Sequence, residues 1–244
     1  MQEQHHGFGR GALRAVTAGL IGAGLLAGGP ASAATRGFTI TSFDAIRVDA
    51  PVSVVLTTGT ATSARADGDQ TALDRLKVDV SGRLLIVSME RGPAGTKSAG
   101  AATLRLSTAM IDRVVLTGGG SVAINRLKGQ RGEIALGGNG DVSVAEVDLD
   151  RIDVTLTGGG RVTLAGRANI ANAHVSGPGA LMAEPLRVRQ ATLGNNGPGS
   201  MALSADVAAK IVASGSGDVT VTGKAACTVD NRGTGRVTCG GEEF

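Results

Sequence analysis

The densest acidic segment of the chain reads AEVDLDRIDV. Glu146, Asp148 and Asp150 alternate with Val147 and Leu149, so the three carboxylates are expected on the outer face of one strand. Three carboxylates on one face could hold a hard cation. The alternative, which we favour, is a solvated acidic face that is partly neutralised by arginine and prevents unwanted strand pairing.

Other candidate chemistry is weaker. His174 is the only histidine after residue 33, which excludes a metal site built from several histidines. A Ser-His-Asp triad could be drawn through Ser176, but no motif supports it. The segment GGNGDVSV is similar to a calcium-binding nonapeptide. Its Asp141 directly follows the glycine, however, and only Asp218 recurs at the equivalent position. We therefore expect no metal ion or other cofactor.

The glycine-rich segments could suggest a phosphate-binding loop. Such a loop needs a strand before it, a helix after it, and a Lys-Ser or Lys-Thr pair at a set spacing. In this chain strand-like segments follow the glycines, and no Gly-Lys-Ser or Gly-Lys-Thr occurs. The sequence therefore indicates a structural role for these glycines.

The glycine pair belongs to an internal repeat. After residue 33, Gly-x-Gly occurs seven times, with the second glycine at 120, 140, 160, 179, 199, 217 and 235, so the spacings are 20, 20, 19, 20, 18 and 18 residues. We interpret the pairs as corners stacked on one another, where positive φ angles and the absence of a Cβ are both needed. The fourteen predicted corner glycines are Gly118, Gly120, Gly138, Gly140, Gly158, Gly160, Gly177, Gly179, Gly197, Gly199, Gly215, Gly217, Gly233 and Gly235.

Apolar residues alternate with small or polar residues on both sides of each corner. Val142 and Val144 follow one corner, and Val154 and Leu156 precede the next. This period of two predicts strands with one buried face. Asn195 and Asn231 take the place of apolar residues in later copies, so we expect an amide ladder or an opening to solvent there.

One unit of about 19 residues cannot bury its apolar face alone, whereas stacked units bury a continuous core. The predicted fold is all-β: a parallel β-helix, or β-solenoid, with about 18–20 residues per coil. A β-sandwich or a propeller is the alternative. We expect one solenoid domain over 34–244, with repeats clearest from 104 to 240 and a less regular N-terminal part that caps the stack.

The only two cysteines, Cys227 and Cys239, lie on either side of the last Gly-x-Gly and share the inward parity of their strands. We predict one disulfide that clamps the final coil, with two buried free thiols as the alternative.

The first 33 residues are typical of a secretory signal peptide. A basic start precedes an apolar stretch, and the small residues Ala31, Ser32 and Ala33 precede a predicted cut before Ala34. We expect an exported protein, periplasmic or extracellular, that spans no membrane after cleavage; an uncleaved anchor is the alternative. The formal net charge of +3 is small and no basic block occurs, which argues against a nucleic-acid partner.

The chain resembles the head GIN domain family over roughly 38–240. The segments that carry this resemblance are FDAIRVDAPVSVVLTTG, LKVDVSGRLLIVS, LRLSTAMIDRVVLTGGGSVAI and SGSGDVTVTG. Members of that family are described as "putative auto-transporter adhesins" and belong to a domain family of unknown function. The resemblance implies an exported bacterial β-helical protein. It implies no catalytic or ligand-binding residues.

The sequence favours a non-enzymatic, adhesin-like or cell-envelope interaction protein whose ligand and oligomeric state it does not identify. The alternative is a protein that binds or degrades polysaccharide. Sugar clefts usually offer aromatic stacking faces, and glycoside hydrolysis usually needs a carboxylate pair at a defined separation. The chain has four Phe and no Trp or Tyr, so we expect no enzyme.

Overall fold

The computed structural model describes residues 34–92 and 100–244; the predicted signal peptide, 1–33, lies outside the described residues. The described chain forms a β-solenoid of about six turns. Its elements are β1 (Ala34–Phe38), β2 (Ala45–Val48), β3 (Ser53–Thr58), β4 (Ser63–Gly68), α1 (Gln70–Arg75), β5 (Leu76–Ser81), β6 (Leu84–Met89), β7 (Ala102–Thr108), β8 (Arg113–Leu116), β9 (Ser121–Leu136), β10 (Asp141–Leu156), β11 (Arg161–Val175), β12 (Ala180–Asn195), β13 (Ser200–Ala213), β14 (Val219–Gly223), β15 (Ala226–Asn231), β16 (Val237–Cys239) and β17 (Glu242–Glu243).

A single long strand makes up most of one coil. In β10 three short inward-facing segments are separated by exposed positions, and they define three faces of the solenoid. The first face follows the glycine corner, the second lies in the middle of the strand, and the third precedes the next corner. The buried residues on these faces are Val142 and Val144, then Val147 and Leu149, then Ile152, Val154 and Leu156. The alternation predicted the first and third faces, and the structure shows a second face where a looser connection was expected.

Parallel register holds the coils in line. Each β10 residue pairs with the residue 20 positions earlier in β9. Between β10 and β11 the offset changes from 20 to 19 at a bulge after Val144. Between β12 and β13 it changes from 20 to 17 after Ala183 and to 18 after Val188. Differences in coil length are therefore absorbed mainly between the first and second faces, which leaves the glycine corners aligned.

The glycine corners form a hydrogen-bonded column. The N–H of Gly160 donates to the carbonyl oxygen of Gly138 at 3.2 Å, and the N–H of Gly179 donates to that of Gly158 at 3.1 Å. A Cβ on Gly160 would overlap the carbonyl oxygen of Gly140 in the preceding coil. None of the fourteen corner glycines has a positive φ, so that part of the expectation was wrong. Close backbone approach, not backbone handedness, accounts for glycine here.

The core is a set of stacked aliphatic columns. Val142 and Val162 occupy successive levels of one column and are at most 1% exposed. Phe43 is the one buried aromatic side chain among the described residues. Small aliphatic side chains suit this interior because each coil leaves only one thin layer to fill.

Asn195 replaces the aliphatic residue in the column before the corner, and it is fully buried. Its amide nitrogen donates to the carbonyl oxygens of Gly199 at 2.8 Å and Gly217 at 3.1 Å, and its Oδ1 accepts from the N–H of Gly197 at 3.3 Å. The structure therefore shows no amide ladder: Asn195 is closed to solvent, whereas Asn231, in the last coil, is exposed. The side chain supplies hydrogen bonds to the corner backbone of two coils.

Asn195→Leu is expected to lower the free energy of unfolding by about 2 kcal/mol, although Leu136 and Leu156 occupy the same column in other coils. Leucine fills the space but leaves two buried carbonyl oxygens without the amide donor. Urea denaturation of the two proteins measures the change. Equal midpoints would show that these hydrogen bonds do not contribute net stability.

The N-terminal strands are stacked out of sequence order. Strand β2 pairs in parallel with both β6 and β8, and β3 pairs with both β7 and β9. The coil made by β2 and β3 therefore lies between later parts of the chain. Beyond it, β4 and β1 continue the first face in antiparallel pairing, and the hairpin of β5 and β6 continues the third. The N-terminal part thus contributes coils as well as a cap.

The cap includes one short helix that the repeat did not predict. Asp69 precedes α1, and its carboxylate accepts from the N–H of Ala72 at 3.2 Å. Ala72 and Leu73 are buried against the core. At the other end, the short antiparallel β17 covers β16 and ends the first face with Glu242 and Glu243. Acidic side chains on such an edge discourage further strand pairing.

Candidate functional site

An open depression with a volume of about 460 Å³ lies on the second face. It extends across five successive strands, from Lys128 on β9 to Asp206 on β13. Gly129, Ala168 and Val188 contribute to its floor, and the small size of the first two leaves room between the longer side chains. The charged side chains that line it are Lys128, Asp148, Asp150, Arg167, Arg187, Arg189 and Asp206.

Some of these charged groups already have partners in ion pairs or hydrogen bonds. Arg167 Nε lies 2.9 Å from the carboxylate of Asp148, and the amide nitrogen of Asn169 donates to Asp150 at 3.0 Å. Within residues 34–92 and 100–244, no carboxylate lies within 4.0 Å of the charged nitrogens of Arg187 or Arg189. These two guanidinium groups are therefore available to a ligand.

The predicted acidic face is present, but its carboxylates are spread along the coil. Glu146 pairs with Arg126 at 2.6 Å on the neighbouring coil, while Asp148 and Asp150 have the partners described above. The part of the chain that the structure describes holds no group of three or more side chains suited to a metal ion. Two of the three carboxylates are paired with arginine, so this outer surface is partly neutralised.

Asp153, the fourth acid of this segment, lies on the third face. The hydrogen bond from Arg151, 2.9 Å long, holds the pKa of the Asp153 carboxyl below its ordinary value; burial opposes this shift, and a second hydrogen bond from Asn172 supports it. A lowered pKa in the folded state contributes stability above the pKa of the unfolded chain. That contribution is lost as the pH falls through the folded-state pKa.

Arg151→Gln is therefore expected to raise the pKa of Asp153 toward the ordinary value of 3.8. Carboxyl NMR titration measures this directly. The variant should be less stable than the unmodified protein at neutral pH, and the difference should vanish once Asp153 is protonated in both proteins. Arg65→Gln, on the distant β4, is the control, and an unchanged Asp153 titration in Arg151→Gln would contradict the assignment.

His174 borders an apolar hollow of about 310 Å³ on the third face. Gly194 lies beside it on the next coil, where an added Cβ would lie 2.7 Å from the imidazole Nδ1. The ring nitrogen Nε2 lies 3.5 Å from the amide nitrogen of Asn196. Ser176 is exposed in the following corner. Within the described ranges no carboxylate hydrogen-bonds to His174, so the geometry does not assemble a triad.

The glycine corners also lack the geometry of a ligand-binding loop. Strands β10 and β11 follow the corners directly, and the second-glycine N–H groups described above donate to neighbouring coils. Asp218 accepts from the backbone N–H of Arg236 at 2.9 Å, and Asp141 lies 4.0 Å from Arg161. These acids join successive coils of the first face.

The predicted disulfide is confirmed. Cys227 on β15 and Cys239 on β16 are bonded, with Cα atoms 6.3 Å apart. Cys239 is buried and Cys227 is partly buried against the core. The bond links the third face to the first face at the C-terminal end.

Arg187 and Arg189 were not among the residues predicted to be functional. The signal was present in the segment LRVRQ, where two arginines flank one apolar residue and must project from the same outer face. What the sequence lacked was the register that places this segment beside Arg167 on β11. That register depends on bulges, which the repeat spacing shows only as an average.

The architecture defines the class of protein as a parallel β-solenoid with open, solvent-facing sides. Residues 42–225 match the family described as "Putative auto-transporter adhesin, head GIN domain". The chain belongs to this family, as the sequence resemblance predicted. In residues 34–92 and 100–244 no helix is both long and apolar enough to cross a bilayer. No curated protein matches the chain.

Solved structures share the fold. A putative adhesin from Bacteroides fragilis NCTC 9343 has a TM-score of 0.74 and 20% sequence identity, with 84% of this chain and 96% of that chain covered. A putative lipid binding protein from Parabacteroides distasonis ATCC 8503 has a TM-score of 0.65 at 20% identity, with coverage of 84% and 96%. A putative adhesin from Parabacteroides merdae ATCC 43184 has a TM-score of 0.64 at 20% identity, with coverage of 84% and 95%.

Proposed function

We propose that this protein is an exported, non-catalytic binding protein that presents the sides of a rigid solenoid to a ligand of the cell envelope or cell surface. The observation that carries the proposal is the strict stacking of coils in register, which fixes outward side chains in rows. Such rows suit an extended ligand because many weak contacts can form without ordering the protein. Membership of an adhesin-like family supports the same function.

Export is supported by two independent features. Residues 1–33 have the pattern of a signal peptide, and a disulfide persists mainly in oxidising compartments. The proposal expects a mature N-terminus at Ala34 and recovery of the protein outside the cytoplasm. Mass spectrometry of the protein from fractionated native cells tests both points, and an intact Met1 in the cytoplasmic fraction would contradict them.

Polysaccharide degradation is the competing function. The acids described above on β10 are engaged with arginine or asparagine side chains on the outer surface. This arrangement supports binding over general acid–base chemistry, which needs an acid and a base aimed at one bond.

A paired assay separates the two functions. Purified protein is mixed with envelope polysaccharide from its native host, and both bound protein and released sugar are measured. Saturable binding without product supports the proposal. Release of reducing ends that scales with protein concentration would replace it with an enzymatic function.

A further inference from the structure

One row of outward side chains on the second face has three cationic groups and one carboxylate. Register places Lys128 beside Asp148, Asp148 beside Arg167, and Arg167 beside Arg187 on successive coils. Asp148 is the one carboxylate in this row of four residues, and Arg167 holds it at 2.9 Å. Like charges directly opposite on neighbouring strands are destabilising. An anion bound next to Arg187 would relieve that repulsion.

Arg189 extends the cationic surface along the same strand. Arg187 and Arg189 flank the buried Val188, which is 1% exposed, so both side chains project outward. Two positions apart on a strand, their Cα atoms are separated by about 7 Å. Each guanidinium offers a planar pair of donors that fits a carboxylate. A rigid strand thus presents two donor sites at a fixed spacing.

Acceptors in the same depression narrow the class of ligand. Asp150, Asn169 and Asp206 lie among the arginines. Asp150 accepts one hydrogen bond from Asn169 and has further lone pairs for a hydroxyl donor. A ligand with anionic groups alone would pair with the arginines but would offer Asp150 no hydrogen-bond donor. A ligand that carries both carboxylates and hydroxyl groups satisfies both sets.

The shape indicates a polymer. The depression crosses five successive strands, from β9 to β13, and strands lie about 4.8 Å apart, so it is roughly 19 Å long. It is an open groove on the side of the solenoid, which allows a chain to lie across the coils. We propose that this second-face depression binds an acidic polysaccharide, with Arg187 and Arg189 holding uronate carboxylates; this inference rests on the proposed function.

The test uses a defined oligomer of galacturonic acid as the probe and isothermal titration calorimetry as the measurement. The unmodified protein should bind it saturably, and Arg187→Gln/Arg189→Gln should weaken binding about tenfold or more. Arg65→Gln/Lys210→Gln also removes two positive charges, but at exposed positions elsewhere. Its affinity for the oligomer should stay within about twofold of that of the unmodified protein. Thermal unfolding should be alike in all three proteins.

Three further probes identify the chemistry. The methyl-esterified oligomer has the same hydroxyl groups without the charge and should bind about tenfold more weakly or worse. Inorganic phosphate and vesicles containing phosphatidylglycerol should not compete. Equal affinity for the esterified oligomer, equal losses in both double variants, or arginine-dependent binding to the vesicles alone would each overturn the inference.

Failure of this inference is distinguishable from failure of the proposed function. If the galacturonate oligomer does not bind while native envelope polysaccharide still binds saturably, the assignment of this depression is wrong and the proposed function stands. If neither binds, the proposed function fails as well.

Discussion

Gly160→Ala is expected to destabilise the solenoid by about 3 kcal/mol or more, the largest effect of any single substitution considered. The added Cβ would overlap the carbonyl oxygen of Gly140 and lie 3.0 Å from Leu136 Cδ2. That carbonyl cannot move freely because it accepts the N–H of Arg161 at 3.1 Å. Two coils must separate locally, which costs more than overpacking among flexible side chains.

Gly119→Ala is the matched control. Gly119 lies between Gly118 and Gly120, in an earlier corner of the same stack. A Cβ added there meets nothing within 4 Å. Its φ is not in the left-handed region. The control should stay within about 0.5 kcal/mol of the unmodified protein. Denaturant unfolding monitored by circular dichroism measures both variants, and equal unfolding midpoints would show that the glycine column is not needed for close stacking.

The repeat made most of the fold predictable. Constant spacing and alternation are properties of each coil, and identical coils can bury their apolar faces together only by stacking. The sequence therefore predicted the solenoid, the corner column and the disulfide between Cys227 and Cys239. It also predicted that the acids alternating with Val147 and Leu149 face outward from one strand. It did not identify this segment as a separate face.

The order of the N-terminal coils was not predictable in the same way. Strand β2 has the same alternation as any other strand, so its pattern does not show that it inserts between β6 and β8. Pairing partners depend on which edges remain free after the other strands pair. That is a property of the whole assembly, and no local period records it.

The candidate site could not be predicted from the sequence for a related reason. Arg187 and Arg189 are two ordinary outward residues of one strand, and their significance comes from Arg167 on the adjacent coil. A bulge between Thr163 and Gly166 sets that neighbour, because the register of β11 with β12 shifts there from the first face to the second. By contrast, Asn195 was visible in the sequence as a break in an apolar column, and only its hydrogen bonds needed the structure.

Removing the disulfide with Cys227→Ala/Cys239→Ala is expected to lower stability by about 3 kcal/mol, chiefly because the unfolded chain loses a cross-link over a short loop. The effect should concentrate at the C-terminal end. Strand β16 has only three residues, and β15 pairs with β13 alone among the described strands. Without the bond, the last coil has little backbone pairing to hold it.

Hydrogen exchange measured by mass spectrometry distinguishes local from global effects. Amides of β15 and β16 should lose protection in the double variant, whereas those of β10, several coils away, should keep it, because each coil of a solenoid contacts mainly its neighbours. Thiol titration of unreduced protein is the control for the premise, and two titratable thiols would contradict it. Uniform loss of protection along the whole chain would show that the final coil stabilises the entire stack cooperatively. The disulfide would then act on the global unfolding equilibrium and not on fraying of one end.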